Sequence, residues 1–599
     1  MTKAISNPPF QTSKRHGGTR GADMPRLSSN TQGRFGRMFR GLPACECNDR
    51  DLSHLADAII ANLEPFKINN EDQRDDRGLL IPGATSEEEV DDEENFGIAA
   101  GYTYFGQFID HDLTFDPASF LQKQNDPEGL VDFRTPRFDL DCLYGQGPDD
   151  QPYLYEDDEL HMHVGRKLRF GDANAIDLPR VHSSNGSPRA LIGDKRNDEN
   201  VIVSQLQAGF IRFHNRVADV IIAKNIADNK TTTFGEVARI VRWHYQWCVL
   251  HDFLPTIIGT EMINKVLPHL PSESGDIHEH KPDLRFYHYE EDPFIPIEFT
   301  TAAYRFGHSM VRPIYRLNTH LGTEDDPNFI KDKKLIKDKQ IAPTSLGRQF
   351  IFAAVANSGL NGFREFPETF AVDWNLFFGK PDPEKLGADR IQPAYKIDTS
   401  MVNPLGFLPE FSQPGPDGNL LTDKDGNPLP RLGATANLAL RNLRRGQSMG
   451  LPSGQSVARA MGLTPLKDMH LRVGKANVDG LKNNHPITHY GHSFKDNAPL
   501  WFYILAEAQN DWSEKASKVM KEAKNLSEEA KKNKANAIPV QLGSVGGRIV
   551  AETFVGLLLG DRNSFLRQEP RWEPWTELCG GKLPSHFGIL DLLKAGQST

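Results

Sequence analysis

The stretch 104-YFGQFIDHDLTFDP-117 decides how the chain reads. Gln107 and His111 are four residues apart and share one face of a helix, with Asp110 at the edge of that face. Asp112 lies roughly 100° further round and points to a different neighbour. Phe105, Phe108 and Ile109 supply apolar surface, so the segment reads as a largely buried helix carrying several polar groups. Buried polar groups cost free energy unless they are paired or bound. A ligand site is therefore the first reading, and a core histidine satisfied by two flanking carboxylates is the plainer one.

The rest of the composition narrows the classes. The 599 residues are 38% hydrophobic and 25% charged, the proportions of a globular chain with a large core. A net charge of −11 argues against nucleic acid or an anionic membrane surface as the main partner. No apolar run approaches the roughly 18 residues of a membrane span. The N-terminal segment has basic residues but no apolar h-region, so the expected location is cytoplasmic, or outside by a non-classical route. Cys45, Cys47, Cys142, Cys248 and Cys579 are odd in number and sparse, which is no disulfide scaffold. Cys45 and Cys47 form a lone C-x-C without a second pair, so zinc is not expected there.

Residues 1–35 are polar and aperiodic and read as a disordered arm. A short helix is expected at 51–63, and the acidic run 87-EEEVDDEEN-95 reads as a solvated loop. In 131-VDFRTPRFDLDCLYGQGPDDQPYLY-155, Thr135, Asp139 and Asp141 alternate as a loop round a hard cation would require, although the spacing is not that of an EF-hand and a D-x-D alone is more often a turn than a metal site. A long amphipathic helix is expected from Val201 onward, preceded by the polar knot Asp194, Lys195, Arg196, Asn197, Asp198 and Glu199. The helix dipole alone would explain acidic residues in that knot. Further helices are expected at 234–252, 298–313, 345–361, 436–462, 510–537 (a Lys/Glu-rich exposed pair) and 541–566. In the 298–313 segment the small residues at 302, 303 and 307 leave room beside His308 for something flat, although a lone histidine of this kind is more often a satisfied core residue than a ligand. Residues 321–340 and 410–432 read as surface loops. The fold class is mainly α, with little β.

Taken together, GQFIDHD (106–112), TPRFDLDCLYG (135–145), GDKRNDEN (193–200), FHNR (213–216), YRFGHSMVRP (304–313) and LRNLRRGQSMGLP (440–452) resemble the animal-type haem peroxidase superfamily. That superfamily includes myeloperoxidase, lactoperoxidase and bacterial relatives, and a bacterial-type member is expected here. Each motif alone is weak; six in the family's order are specific. The resemblance implies one large helical haem peroxidase domain over 36–599, with core motifs in 100–566, in place of the four domains that length alone suggests. It implies haem b as cofactor, hydrogen peroxide as oxidant, and a halide, thiocyanate or phenol as the small electron donor. His111 matches the distal general base, Arg196 the distal cation, and Gln107 the glutamine that holds water or halide. His308 matches the iron ligand and Asn442 the partner of its second ring nitrogen. Arg305 and Arg445 match arginines near the propionates and the proximal side. Asp110 and Glu199 match carboxylates that form esters with haem methyl groups. Asn200 stands where myeloperoxidase has a sulfonium-forming methionine, so no third link is expected. Asp112, Thr135, Asp139, Asp141 and the carbonyl of Arg137 match a calcium loop, with Asp141 where the family usually has serine.

Three other readings compete, one of them a non-haem hydrolase using the Asp-His-Asp triplet of 110–112, which would lack a haem absorption band. A fatty-acid dioxygenase of the same superfamily would carry a radical-forming tyrosine three residues before the proximal histidine, a position held here by Arg305, with Tyr304 one residue further back. A non-catalytic peroxidase-like adhesion protein would be expected to lack the distal residues, whereas Gln107, His111 and Arg196 are all present. The reducing substrate and the oligomeric state are not readable from the chain.

Overall fold

The computed structural model describes residues 35–61, 92–114, 134–172, 175–182, 188–268, 281–288, 293–321, 348–352, 359–385, 387, 389–416, 419–422, 428–523, 525–582, 584 and 586–597. The arm expected at 1–35 (all but its last residue), most of the acidic run and most of the loop expected at 321–340 lie outside them. Helices carry the architecture: α1 (Asp49–Ala61), α2 (Gly101–Leu113), α3 (Val201–Ala227), α4 (Phe234–Cys248), α5 (Leu438–Ser448), α6 (Leu500–Glu522), α7 (Ser544–Gly560) and α8 (Ile589–Gly596), with shorter helical turns between them. Strands among the described residues form two-stranded ribbons only; the longest strand, β1 (Glu94–Ala99), pairs antiparallel with β2 (Pro393–Tyr395). Most of the buried apolar side chains, from Phe35 to Ala595, make one connected cluster. No helix among the described residues is long and apolar enough to cross a membrane.

β1 feeds directly into α2, the helix that holds Gln107 and His111. No side chain caps its start; the buried N–H groups of Ala100 and Gly101 instead reach the carbonyls of Gln392 and Phe377, both at 2.8 Å. A Cβ at Gly101 would lie 2.5 Å from the Phe377 carbonyl oxygen, so this close approach needs glycine. Every residue of α2 is buried except Gly106, Gln107 and Asp110. Phe108 stacks on Phe210 of α3 with ring centroids 4.6 Å apart, and Tyr245 of α4 closes edge-on against both rings. These contacts bury aromatic rings between three helices and fix how α2 is rotated.

The helix start at 201 has a specific cause. Asn200 is the N-cap, its Oδ1 accepting from the N–H groups of Ile202 (3.1 Å) and Val203 (2.9 Å). The segment 298–313 is not one helix. Ile297–Thr301 forms a short turn, the backbone leaves helical geometry at Ala302, and Ala303–His308 continues as a tighter 3₁₀ turn. Thr301 Oγ1 donates to the Ile297 carbonyl at 2.6 Å at the break, a side-chain bond of the kind that bends helices. The helix expected over 345–361 is not found in its described part: Gln349–Phe350 pairs as a strand with Ile314–Tyr315. A short apolar run does not by itself distinguish a strand from a buried helix. Beyond α4 the chain continues through a π turn, Val249–Phe253, into Leu254–Ile258.

Candidate active site

On α2, His111 is 5% exposed and its Nδ1 lies 2.7 Å from Asn197 Oδ1. The Asn197 amide is itself oriented, because its Nδ2 donates to Gln207 Oε1 at 2.8 Å. Its oxygen therefore accepts from Nδ1–H of His111, which leaves the lone pair on Nε2. Burial, reinforced by the charge of Arg196, lowers the His111 pKa to about 4, so the ring is neutral near pH 7. The His111 carbonyl is held from two sides, by Arg134 Nε (3.2 Å) and an Arg196 nitrogen (2.9 Å). The same Arg196 nitrogen reaches the Thr114 carbonyl at 2.7 Å and Asp194 Oδ2 at 2.8 Å. Arg196 thus stands as a fixed cation across the last turn of α2.

Three further groups meet here. Gln107 Nε2 donates to Glu199 Oε1, and Gln107 Oε1 accepts from Asn200 Nδ2 at 3.2 Å. Glu199 Oε1 stands 4.0 Å from His111 Nε2, and the Glu199 side chain is 36% exposed. Burial, with Glu410 adding to it, nevertheless raises its pKa to about 8. A carboxyl that is surrounded by protein yet reachable by water lines an interior cleft. Asp110 lies close enough to Glu199 and Arg305 for their charges to interact.

The 3₁₀ turn carrying His308 packs against α2: Tyr304 Oη donates to the Gly106 carbonyl at 3.1 Å. That tyrosine is buried between Phe299, Phe554 and the α2 backbone. His308 Nδ1 and Asn442 Nδ2 are 2.8 Å apart, so the turn and α5 bring the two expected partners together. With Nδ2 toward the ring, Nδ1 is the acceptor; turning the amide over makes Oδ1 accept from Nδ1–H and frees the lone pair of Nε2. Burial, with Arg305 and Arg445 adding to it, lowers the His308 pKa to about 3. A Cβ on Gly307 would meet nothing within 4 Å, so space opens beside the histidine. Arg305 Nε is buried without a hydrogen-bond partner.

In the neighbouring loop, Asp112 Oδ2 accepts from the Leu140 N–H at 3.2 Å, while Asp112 Oδ1 is buried with no hydrogen bond. Burial, with Asp139 and Asp141 adding to it, raises the Asp112 pKa to about 8. Thr135 Oγ1 donates to Asp139 Oδ2 at 2.5 Å, and Asp141 N–H to Asp139 Oδ1 at 3.2 Å. Leu140 sits at φ +56°, a left-handed conformation that costs a leucine strain and tightens the loop. The Arg137 side chain turns to the buried Asp561, with Nε 3.7 Å from Oδ1. Among the described residues no three acidic, His or Cys side chains already form a closed metal cage. Like charges are gathered round one unsatisfied oxygen all the same.

Sequence reasoning gave no role to Asn197, which it saw only as part of the polar knot, or to Glu410. Asn197 follows Arg196 directly, but its partner is 86 residues earlier, and no local pattern links the two. Glu410 lies in a segment read as a surface loop, and it is exposed.

Comparison with known proteins bears on the same residues. A family model described as "Animal haem peroxidase" matches residues 121–357, a span holding Arg196, Glu199, His308 and the 135–141 loop but not α2 or Asn442. The chain is 26% identical to thyroid peroxidase of Rattus norvegicus over 221 residues, 35% of this chain and 22% of that one. It is 32% identical to chorion peroxidase of Drosophila melanogaster over 140 residues, 23% of this chain and 16% of that one. The matched segment thus spans about a fifth of the length of these relatives. Among solved structures, peroxidase A from Dictyostelium discoideum superposes with a TM-score of 0.44 at 16% identity, covering 90% of this chain and 89% of that one. The fatty acid alpha-dioxygenase of Oryza sativa superposes with a TM-score of 0.43 at 14% identity, covering 90% of this chain and 77% of that one.

Proposed function

We propose that the chain is a haem-dependent peroxidase of the animal haem peroxidase family, one that reduces hydrogen peroxide and oxidises a small donor. The observation that carries the proposal is the fixed, neutral His111, with a bare Nε2 beside Gln107 and Glu199. The residues fit a haem. The orphaned Arg305 Nε suits a propionate, the open space at Gly307 suits a flat ring, and the neutral His308 suits iron. A bound haem would supply the iron and the electrons that break the O–O bond. His111 Nε2 takes a proton from peroxide and returns it to the leaving oxygen, and the Asn197 bond holds the ring in that tautomer. Arg196, pinned by Asp194 and two carbonyls, stabilises negative charge as the O–O bond opens. Gln107 holds the amide edge of the pocket. Asn442 and Arg445 orient and polarise His308 from α5. The test is an absorption spectrum of haem-loaded protein. A Soret band that shifts with peroxide and returns on adding iodide, thiocyanate or a phenol supports the reading; a band indifferent to peroxide overturns it.

Asp110 and Glu199 are the carboxylates we assign to ester bonds with haem. The raised Glu199 pKa keeps that group protonated and uncharged in a cleft where a bare carboxylate would be costly. After a few equivalents of peroxide, acidified organic solvent should leave haem on wild-type protein and remove it from the Asp110→Ala/Glu199→Ala double variant. Complete extraction from the wild type would sink the assignment.

Asp112, Thr135, Asp139, Asp141 and the Arg137 carbonyl are the residues we assign to calcium. The orphaned Asp112 Oδ1 and the mutual repulsion of its neighbours are what a divalent cation would relieve. A ligand held at 100 times its Kd adds about 2.7 kcal/mol of stability. Chelation should therefore lower Tm measurably, and Asp112→Ala should make Tm insensitive to chelator. Metal analysis finding no calcium in active protein rejects the site.

A further inference from the structure

Just before α1 in the chain lies a thiol pair that the proposed chemistry does not use. Cys45 and Cys47 are two residues apart, and their sulfurs lie 3.5 Å from each other, unbonded. Both sulfurs lie near the Asn497 carbonyl, at 3.4 and 3.9 Å. The backbone around them is fixed to the far side of α5: the Cys45 N–H reaches the Leu451 carbonyl at 2.7 Å and the Cys47 N–H reaches Gln447 Oε1 at 3.0 Å. A crevice of about 10 Å³, room for roughly one water-sized molecule, is lined by both thiols together with Asn442, Gln447 and Trp501. Trp501 Nε1 in turn donates to the Arg305 carbonyl at 3.2 Å. The pair therefore backs directly onto the elements that hold His308.

We infer that Cys45 and Cys47 form a peroxide-oxidisable dithiol that closes to a disulfide on the rear of the His308–Asn442 pair. The two cysteines differ in the way such a reaction requires. Cys45 is 6% exposed, and the Cys47 bond and burial keep its proton on. Cys47 is half-buried, and the Cys45 S–H and the Ser493 hydroxyl hold its thiol below the ordinary range. Cys47 is thus the attacking sulfur and Cys45 the resolving one. The Cys47 thiolate attacks one oxygen of hydrogen peroxide; the O–O bond breaks, and the departing hydroxide takes the proton Cys47 gave up and leaves as water. Cys47 is then a sulfenic acid. The Cys45 sulfur attacks the Cys47 sulfur, the S–O bond breaks, and the hydroxyl leaves as water with the Cys45 proton. Two thiols have lost two electrons and two protons, and one peroxide has become two waters.

The thiols react with peroxide directly, so the inference stands apart from the peroxidase reading, and its test does not read donor oxidation. The purified full chain is exposed to hydrogen peroxide kept in excess, then denatured, and its free thiols are counted. The five free cysteines of the untreated protein should fall to three, with a loss of two mass units on the peptide holding Cys45 and Cys47. Cys47→Ser should keep its remaining four thiols. Cys45→Ala should stop at a Cys47 sulfenic acid that a cyclic dione traps; this variant also serves if the serine variant folds poorly. Five thiols surviving in the wild type, or losses mapping to Cys142, Cys248 or Cys579, overturn the inference.

Discussion

His308→Ala is expected to lose haem and its Soret band, with haem affinity falling about 100-fold or more. The magnitude follows from the shell outside the ligand. Removing the group that orients a metal-bound histidine typically costs about 10–100-fold in metal affinity, so removing the ligand itself costs at least the upper end. Asn442→Ala should fall within that range, because it strips the Asn442 amide from the His308 ring. The measurement uses protein that has not met peroxide, so that ester bonds do not hold haem which has lost its iron ligand. Adding imidazole to His308→Gly should restore the band, since that site has open space at Gly307 next to it. A His308→Ala protein with wild-type haem content and spectrum would show that iron is held elsewhere.

His111 and His308 show how far the sequence can be read. The helical spacing of Gln107 and His111 and the apolar Phe105, Phe108 and Ile109 were enough to identify a buried helix, because the 3.6-residue period is local. Arg196 and Glu199 were visible as a polar knot, yet what binds them was not. Arg196 is held by carbonyls of His111 and Thr114, and Glu199 is joined to Gln107. Those partners are brought near only when α2 packs on α3 through Phe108 and Phe210. Asn200, which the resemblance marks only as a replacement for a methionine, is found to cap α3 and to bond Gln107. The break at Ala302 went unseen because alanine is the best helix former; local propensity there gives way to tertiary placement of the His308 turn. The strand at Gln349–Phe350 was misread because a few apolar residues carry no distinguishing period.

His111→Ala is expected to keep haem and lose about 10²–10⁴-fold in the rate of reaction with peroxide, the usual worth of a positioned general acid–base group. The argument rests on the ring's protonation. Near pH 7 His111 is neutral, and Asn197 takes the Nδ1 proton, so only Nε2 can accept from peroxide. Alanine removes that acceptor but none of the groups assigned to haem, so binding and rate should separate. Asn197→Ala gives an intermediate case. It leaves the imidazole in place but frees its tautomer and rotation, for an expected loss of about 10–100-fold by analogy with other histidine-orienting partners. Asn197→Asp keeps an acceptor at Nδ1 and should recover most of that loss, which a purely structural role for the amide would not predict. Stopped-flow measurement of the Soret change at several peroxide concentrations gives each rate directly. A His111→Ala rate within a few-fold of wild type would remove the histidine from the chemistry. An Asn197→Ala rate equal to wild type would leave His111 as base but deny that the buried amide sets its tautomer.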